Sequence, residues 1–242
     1  MNREYHKWFS PALQREMELL IFGHSGTAVL FFPTRMARFY DYENWRIVDA
    51  LHQRIDNGEL QLFCVDSIDA ESFYNQSVHP SVRIARHNQF EQYIINEVLP
   101  LMRKKNGGAY LEVAGCSMGA FHAINLALKH PWLFNKAVCM SGRYDLTWQI
   151  QDFNDLFDGF RNEDIYFNTP MQYMANMHDY HILTAMRRIE IIIAIGETDP
   201  FLPNNQQFSK LLWDKGLPNQ LYIWEAYAHR PRYWRQMVQL YL

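Results

Sequence analysis

The 242-residue sequence has few cysteines, no long apolar run and no large excess of charge of one sign. Its three cysteines, Cys64, Cys116 and Cys139, are an odd number, and none belongs to a C-x-x-C pair. Each lies in or beside an apolar segment, so we expect buried, reduced thiols of a cytoplasmic protein. Cys116 adjoins a candidate nucleophile but is interpreted as a small residue that fills the core.

Two further absences narrow the class of protein. No run of 18 apolar residues occurs, which predicts no membrane-spanning helix, and the N-terminal segment lacks the apolar centre of a secretory signal. The formal net charge of −3 gives no electrostatic basis for binding nucleic acid or an anionic membrane. With 48% hydrophobic and 20% charged residues, we expect a soluble globular chain with one domain over residues 1–242.

The most informative motif is a serine between two glycines, Gly115-Cys116-Ser117-Met118-Gly119. It follows a short apolar segment of strand length and precedes a segment of good helix formers. This is the pattern of a nucleophile elbow, in which a sharp turn exposes the serine hydroxyl above the carboxyl end of a sheet. The glycines would let strand and helix approach closely. Chance also produces the pattern, and the alternative is a small-residue turn in an ordinary α/β protein.

Strand and helix patterns alternate after the first two strands, which predicts a mostly parallel, doubly wound sheet. The expected strands are an outer strand at Glu16–Phe22, then Ala28–Phe32, Leu60–Val65, Tyr110–Ala114, Lys136–Met140, Ile189–Gly196 and Leu221–Trp224. The expected helices are Glu43–Ile55, Pro80 to about Lys105 with a kink at Pro100, Ala120–Leu128, Asn204–Lys215 and Pro231–Leu242. Residues 141–188, between the fifth core strand and the next, lose periodicity and predict an insertion or lid with one or two short helices.

A serine hydroxyl needs a histidine to take its proton and a carboxylate to orient that histidine. In this architecture the order along the chain is serine, acid, histidine. Asp199 follows the most apolar strand and His229 follows the last strand, at the sheet edge where Ser117 is expected. Asp199 precedes Pro200, whose ring restricts its backbone, and is preferred over the alternative acid, Glu197.

The backbone should supply two N–H groups to an oxyanion. One is that of Met118, directly after the serine, and the other should come from the loop after the strand that ends at Phe32. Counting into that loop selects Arg35, with Met36 as the alternative.

Other chemistry is weakly indicated. His178 and His181 form an H-x-x-H pair without further ligands at a recognisable spacing, so we expect no metal and no cofactor. Phe73 and Tyr74 are candidate pocket-lining residues, and Phe153, Phe157 and Tyr166 are further ones. Packing in the core or the lid is an equally good interpretation of each of these aromatic residues.

Several motifs spread over nearly the whole chain belong together: Gly23-His24-x-Gly26, Phe32-Pro33-Thr34, Asp66-Ser67, Glu71–Asn75, Arg83–Pro100, Gly115–Gly119, Gly196–Pro200, and His229 with Tyr233-Trp234. This combination resembles the esterase family that includes esterase D-like S-formylglutathione hydrolases, enterochelin esterases and antigen 85 mycolyltransferases. The resemblance implies an α/β-hydrolase fold without a cofactor, and ester hydrolysis through an acyl-enzyme.

The chain departs from that family in two places. Relatives usually carry small Ser or Gly residues after the Pro-Thr, where this chain has Arg35-Met36-Ala37. Relatives usually follow the catalytic histidine with Asp-Trp, where this chain has Arg230-Pro231, which removes an aromatic residue beside the histidine.

The sequence therefore predicts a serine carboxylesterase that acts on a small-molecule ester or thioester, with Ser117, His229 and Asp199 as its triad. An acyltransferase would use the same residues, with an alcohol in place of water. A non-catalytic binding module that retains the fold is the alternative from another class, motivated by the two departures.

Overall fold

The computed structural model describes residues 1–242, and a single eight-stranded sheet organises them. The strands are β1 (Arg3–Ser10), β2 (Arg15–Phe22), β3 (Thr27–Phe32), β4 (Leu60–Val65), β5 (Leu111–Cys116), β6 (Lys136–Met140), β7 (Glu190–Gly196) and β8 (Asn219–Trp224). Their order across the sheet is β1-β2-β4-β3-β5-β6-β7-β8. The β1–β2 and β2–β4 pairs are antiparallel and all the others are parallel. The prediction of a mostly parallel, doubly wound sheet is confirmed.

Helices cover both faces of this sheet. They are α1 (Asp41–Asn44), α2 (Ile47–Ala50), α3 (His52–Asp56), α4 (Pro80–Tyr93), α5 (Leu99–Lys105), α6 (Met118–Lys129), α7 (Glu163–Tyr166), α8 (Pro170–Ala175), α9 (Tyr180–Met186), α10 (Leu202–Asp214) and α11 (Pro231–Tyr241). A π-helical turn, Ile94–Val98, joins α4 to α5. None of these helices combines the length and the apolar composition that crossing a membrane requires.

The core has two large halves, one on each face of the sheet. Alternate residues of a strand point to opposite faces, so Leu30 of β3 enters one half and Phe31 enters the other. Helices α4, α6 and α10 pack on the Leu30 face, and α2 and α11 pack on the Phe31 face. Because β3 is covered on both sides, its sequence is a continuous apolar run.

The prediction that Glu16–Phe22 forms the outer strand was wrong. That segment lies in β2, and β1 pairs with it on the outside along its full length. Seven of the eight residues of β1 are exposed or half-buried, with only Ser10 buried, so the strand lacks an apolar signature. As a consequence, the insertion follows the sixth strand of the sheet rather than the fifth.

Two predicted helices have a different form in the structure. The segment Glu43–Ile55 is divided among three short helices, and Arg46 between the first two has a φ of 59°, which an α-helix cannot contain. The long helix continues to Lys105, but the π-helical turn interrupts it and ends at Val98, two residues before Pro100. Proline has no N–H to continue the α-helical ladder, and the wider turn accommodates its absence.

The insertion at 141–188 contains three short helices, α7 to α9, instead of one or two. A small cluster of buried apolar side chains lies beneath it, including Phe121 of α6 and Ile165 of α7. The first residues of the insertion leave the carboxyl end of β6, which is the edge of the sheet that also carries the ends of β5 and β7. The insertion therefore borders the site described next.

Candidate active site

Ser117 lies at a strained turn between β5 and α6. Its φ of 57° and ψ of −118° are rarely adopted by a residue with a side chain, and its N–H donates to the carbonyl of Met140 at 2.8 Å. A Cβ on Gly115 would lie 2.2 Å from the backbone of Gly119, and one on Gly119 would lie 2.2 Å from the carbonyl oxygen of Phe32. Both glycines are thus required for the strand and the helix to meet at this turn.

The three residues predicted as a triad are hydrogen-bonded in series. His229 lies after β8, and its Nε2 is 2.9 Å from Ser117 Oγ. Its Nδ1 is 2.7 Å from Asp199 Oδ2, and the other carboxylate oxygen of Asp199 accepts the N–H of Phe201 at 2.9 Å. Asp199 is 3% exposed, so the imidazole is held between a buried carboxylate and the serine hydroxyl.

Glu197, the alternative acid, is positioned differently. Its Oε1 accepts the backbone N–H of Ala226 at 2.9 Å in an exposed loop, and this is the only hydrogen bond of the Glu197 side chain. Glu197 therefore fastens the loop that carries the histidine rather than contacting the imidazole ring.

The loop that carries His229 packs closely against the end of β7. A Cβ on Gly196 would lie 2.1 Å from the carbonyl oxygen of Tyr227. The ring of Tyr227 stacks on the imidazole of His229 at 5.5 Å, and Trp234 of α11 approaches it edge-on at 5.6 Å. The expected loss of an aromatic neighbour after the histidine is therefore made up by Tyr227 and Trp234, and this protects the imidazole from solvent.

The two expected oxyanion donors both border the serine. The N–H groups of Met118 and Arg35 form no hydrogen bond within the chain, and both residues line the same cavity as Ser117. The N–H of Met36, the alternative donor, is instead donated to Asp69 Oδ2 at 3.0 Å. Met36 has a φ of 58°, and this turn leaves the amide of the preceding residue, Arg35, unpaired.

A buried acid–histidine pair lies behind this loop. Asp69 Oδ1 is 3.3 Å from His122 Nε2, and both side chains are less than 5% exposed. Asp69 therefore links the Met36 amide to α6, the helix that begins at Met118. His87 packs against the His122 ring at 5.5 Å, and burial lowers the pKa of His87 well below 6.5. The pair formed by Asp69 and His122 thus joins the loop that contains Met36 to α6.

The cavity above Ser117 has a volume of about 280 Å³. Its lining is half apolar and includes residues from six separate parts of the chain: Thr34, Arg35, Tyr74, Ser117, Met118, Ser141, Arg143, Phe153, Phe201, Tyr227, His229 and Trp234. The cavity therefore provides space for part of a small molecule beside the Ser117 hydroxyl.

Only some of the predicted lining residues border this cavity. Tyr74 and Phe153 border the cavity. Phe73 does not; it is 1% exposed, packs in the small cluster under the insertion, and borders only a neighbouring cavity. Phe157 is also buried in that cluster, and Tyr166 lines a surface groove elsewhere. Of the two adjacent aromatic residues, Phe73 packs inward and Tyr74 therefore reaches the cavity.

Sequence reasoning missed six residues that line the site: Thr34, Ser141, Arg143, Phe201, Tyr227 and Trp234. Ser141 and Arg143 come directly after β6, and their place beyond the carboxyl end of a parallel strand was the available signal. Ser141 also links two parts of the site, because its Oγ accepts from the Trp234 indole at 3.1 Å and lies 3.3 Å from the Ala228 carbonyl.

The predicted H-x-x-H pair is not part of a cluster of metal-binding side chains. His178 and His181 flank Asp179, whose carboxylate accepts the N–H of Ile182 as the N-cap of α9. No group of three His, Cys, Asp or Glu side chains is arranged to hold a metal ion. The three cysteines are buried free thiols, and burial raises the pKa of each above its ordinary value.

Known structures share the fold over almost the full length of the chain. A ferulic acid esterase has a TM-score of 0.78 at 17% identity, over 99% of this chain and 95% of that one. An S-formylglutathione hydrolase of Staphylococcus aureus has a TM-score of 0.68 at 17% identity, over 99% and 94%. That of Agrobacterium tumefaciens has a TM-score of 0.70 at 15% identity, over 98% and 92%. Identities this low establish the α/β-hydrolase fold alone.

The comparisons by sequence identify a family. No curated protein matches the chain. The model of the family described as "Putative esterase" matches residues 38–235, a range that contains Ser117, Asp199 and His229. The chain therefore belongs to this esterase family and is an ester-hydrolysing enzyme with the α/β-hydrolase fold.

Proposed function

We propose that this enzyme is a serine carboxylesterase that hydrolyses a small acyl ester or thioester through an acyl-enzyme on Ser117. The observation that carries the proposal is the unbroken series of hydrogen bonds from Asp199 through His229 to Ser117 Oγ, at 2.7 and 2.9 Å, beside a cavity of about 280 Å³. A serine needs this arrangement to become a nucleophile at neutral pH.

In the first half of the reaction, Ser117 Oγ attacks the ester carbonyl carbon while His229 Nε2 takes the hydroxyl proton. The Asp199 carboxylate stabilises the imidazolium that forms. The carbonyl oxygen becomes an oxyanion and accepts the N–H groups of Met118 and Arg35. His229 then gives its proton to the departing alcohol or thiol, which leaves Ser117 acylated.

In the second half, His229 takes a proton from water, and the resulting hydroxide attacks the acyl carbon. The tetrahedral intermediate collapses, the acid departs, and the proton returns to Ser117 Oγ. An alcohol in place of water would give acyl transfer with the same residues. We further propose that residues 1–242 form one domain, with 141–188 as an insertion that borders the cavity.

The test is hydrolysis of p-nitrophenyl esters from acetate to decanoate by the wild type and by Ser117→Ala, between pH 5 and pH 9. We expect activity that favours short acyl chains and is lost in the variant. Full activity in folded Ser117→Ala would refute the proposal. A folded wild-type protein that hydrolysed none of these esters would favour the non-catalytic alternative. Analysis of the products formed with added alcohols separates hydrolysis from acyl transfer.

A further inference from the structure

Arg143 is a buried cation without a carboxylate partner. Two arginines of the chain are buried, Arg83 at 4% exposed and Arg143 at 7%. Arg83 forms an ion pair with Asp158 at 2.8 Å, whereas Arg143 forms none. A buried charge is costly unless it is compensated, and an uncompensated one beside a cavity marks a place where a ligand can supply the opposite charge.

The contacts of Arg143 leave one of its nitrogens free. Nε donates to the carbonyl of Asp145 at 3.1 Å, and Nη2 contacts the carbonyls of Leu146, Trp148 and Asn154. Nη1 makes no hydrogen bond within the chain. The guanidinium also lies over the ring of Phe201, 5.6 Å from its centre. Backbone carbonyls thus hold this side chain in place at the cavity wall, with N–H donors of Nη1 available.

A second guanidinium borders the same cavity. The Arg35 side chain makes no ion pair, and its guanidinium lies 5.5 Å from the centre of the Tyr74 ring. Burial raises the pKa of Tyr74 to about 12, although the positive charges of Arg35 and Arg143 both act to lower it. Both cations therefore line the same cavity as Tyr74.

No carboxylate lines this cavity to neutralise the two cations. Asp145 and Asp155 act on Arg143 through charge, but both are engaged elsewhere. Asp145 Oδ1 accepts from Thr147, and Asp155 pairs with Arg161 at 2.8 Å. The neighbouring cavity, which shares Arg35 and Arg143, is also lined by Asp152, Asp155 and Asp158, so carboxylates border the two cations on that side and none borders the cavity that holds Ser117.

We propose that Arg143, together with Arg35, forms an anion subsite that selects esters carrying a carboxylate on the acyl or the alcohol part. The inference rests on the proposed function of Ser117 and names the substrate class of that site. Guanidinium groups suit this role because they stay charged when buried and bind carboxylates through charge-assisted hydrogen bonds. The aromatic residues of the cavity would hold the part of the substrate between the ester and the anion.

The experiment compares matched esters that differ by one charge. For the acyl part, the pair is p-nitrophenyl hydrogen adipate and p-nitrophenyl methyl adipate. For the alcohol part, it is 4-acetoxybenzoate and its methyl ester. The quantity measured is the ratio of kcat/KM for the anionic ester to that for the neutral one, corrected for uncatalysed rates. A ratio taken within one variant does not depend on the fraction of folded protein.

Three variants separate charge recognition from structural support. Arg143→Met and Arg35→Met each remove one cation of the subsite. Arg187→Met is the matched control, because Arg187 also lies in the insertion and donates to a backbone carbonyl, that of Gly216 at 3.1 Å, but it makes no ion pair and does not line the cavity. Arg35 is exposed, so its variant stays informative if Arg143→Met fails to fold.

We expect the wild type to prefer the anionic ester in at least one pair, and the pair with the preference identifies the part of the substrate that carries the charge. Arg143→Met and Arg35→Met should each lower that ratio by about 10- to 100-fold, the loss of one charge-assisted hydrogen bond, while Arg187→Met leaves it unchanged. Equal hydrolysis of both esters in both pairs, or ratios that survive both substitutions, would overturn the subsite while Ser117-dependent activity upheld the proposed function. If folded wild type hydrolysed none of the four esters, the proposed function and the subsite would fall together.

Discussion

Replacement of Asp199 by Asn would change one hydrogen bond at the centre of the site. Asp199 Oδ2 accepts the Nδ1 proton of His229 at 2.7 Å, which leaves Nε2 free to take the proton of Ser117. The other oxygen accepts the N–H of Phe201, so an Asn side chain would keep its carbonyl oxygen there and direct its NH₂ group at Nδ1. The imidazole would then carry its proton on Nε2 and could no longer act as the base.

The expected loss follows from this change of tautomer. We expect kcat to fall on the order of 10⁴-fold, which is the cost of the same substitution in a serine protease triad. This corresponds to about 5.5 kcal/mol of transition-state stabilisation. Asp199 is buried and does not line the cavity, so KM should change little.

The assay is p-nitrophenyl ester hydrolysis by Asp199→Asn, with Glu197→Gln as the matched control. Glu197 lies two residues away in the same loop but contacts only the amide of Ala226, so its amide variant should retain most of the activity. An Asp199→Asn enzyme within about tenfold of the wild type, or a larger loss in Glu197→Gln, would refute the assignment of the acid.

Three other predictions concern the supports of the site and the stability of the fold. Asp69→Ala removes the acceptor of the Met36 amide and so loosens the loop that carries the proposed Arg35 donor. In protein shown to be folded by circular dichroism, this variant should lower kcat about 10- to 100-fold with less effect on KM. An unchanged kcat would exclude Asp69 as a positioning residue. Gly119→Ala places a Cβ 2.2 Å from the Phe32 carbonyl and should leave little folded, active protein in a thermal melt, whereas a wild-type melting temperature would contradict the close approach. Burial raises the pKa of Glu112 from 4.5 to about 7, so ionisation of this group lowers the free energy of unfolding, and the loss grows as pH rises between these values. Urea unfolding should show that Glu112→Gln has a free energy of unfolding about 3 kcal/mol above that of the wild type at pH 8 and almost the same at pH 4. An equal difference at both pH values would disprove the shift.

The elbow and the order of the elements were predictable because their signals are local. The stretch around Ser117 contains its own strand, its two obligatory glycines and its own helix, and parallel strands bring the loops after β7 and β8 to the same edge. The expectation of a doubly wound sheet needed only the alternation of apolar runs with helical patterns. The proposed oxyanion loop was chosen by counting from the end of β3, and the hydrogen bond from the Met36 amide to Asp69 supports the proposal of Arg35 as the donor.

Features that depend on distant contacts were not predictable. Strand β1 has little apolar character because it lies at the edge of the sheet. Arg46 breaks the helix expected over Glu43–Ile55 through a backbone conformation that its side chain does not reveal. Arg143 lies in an insertion without periodicity. Its proposed role rests on hydrogen bonds to carbonyls up to 11 residues away and on the absence of a carboxylate from the cavity lining, and sequence spacing indicates neither.

The central claim, that Ser117 is an activated nucleophile, is tested most directly by labelling with a fluorophosphonate followed by peptide mass spectrometry. The account predicts a single adduct on Ser117 in the wild type, none in Ser117→Ala and greatly slowed labelling in His229→Ala. Folded wild-type protein that stays unlabelled, or an adduct on another residue, would contradict it.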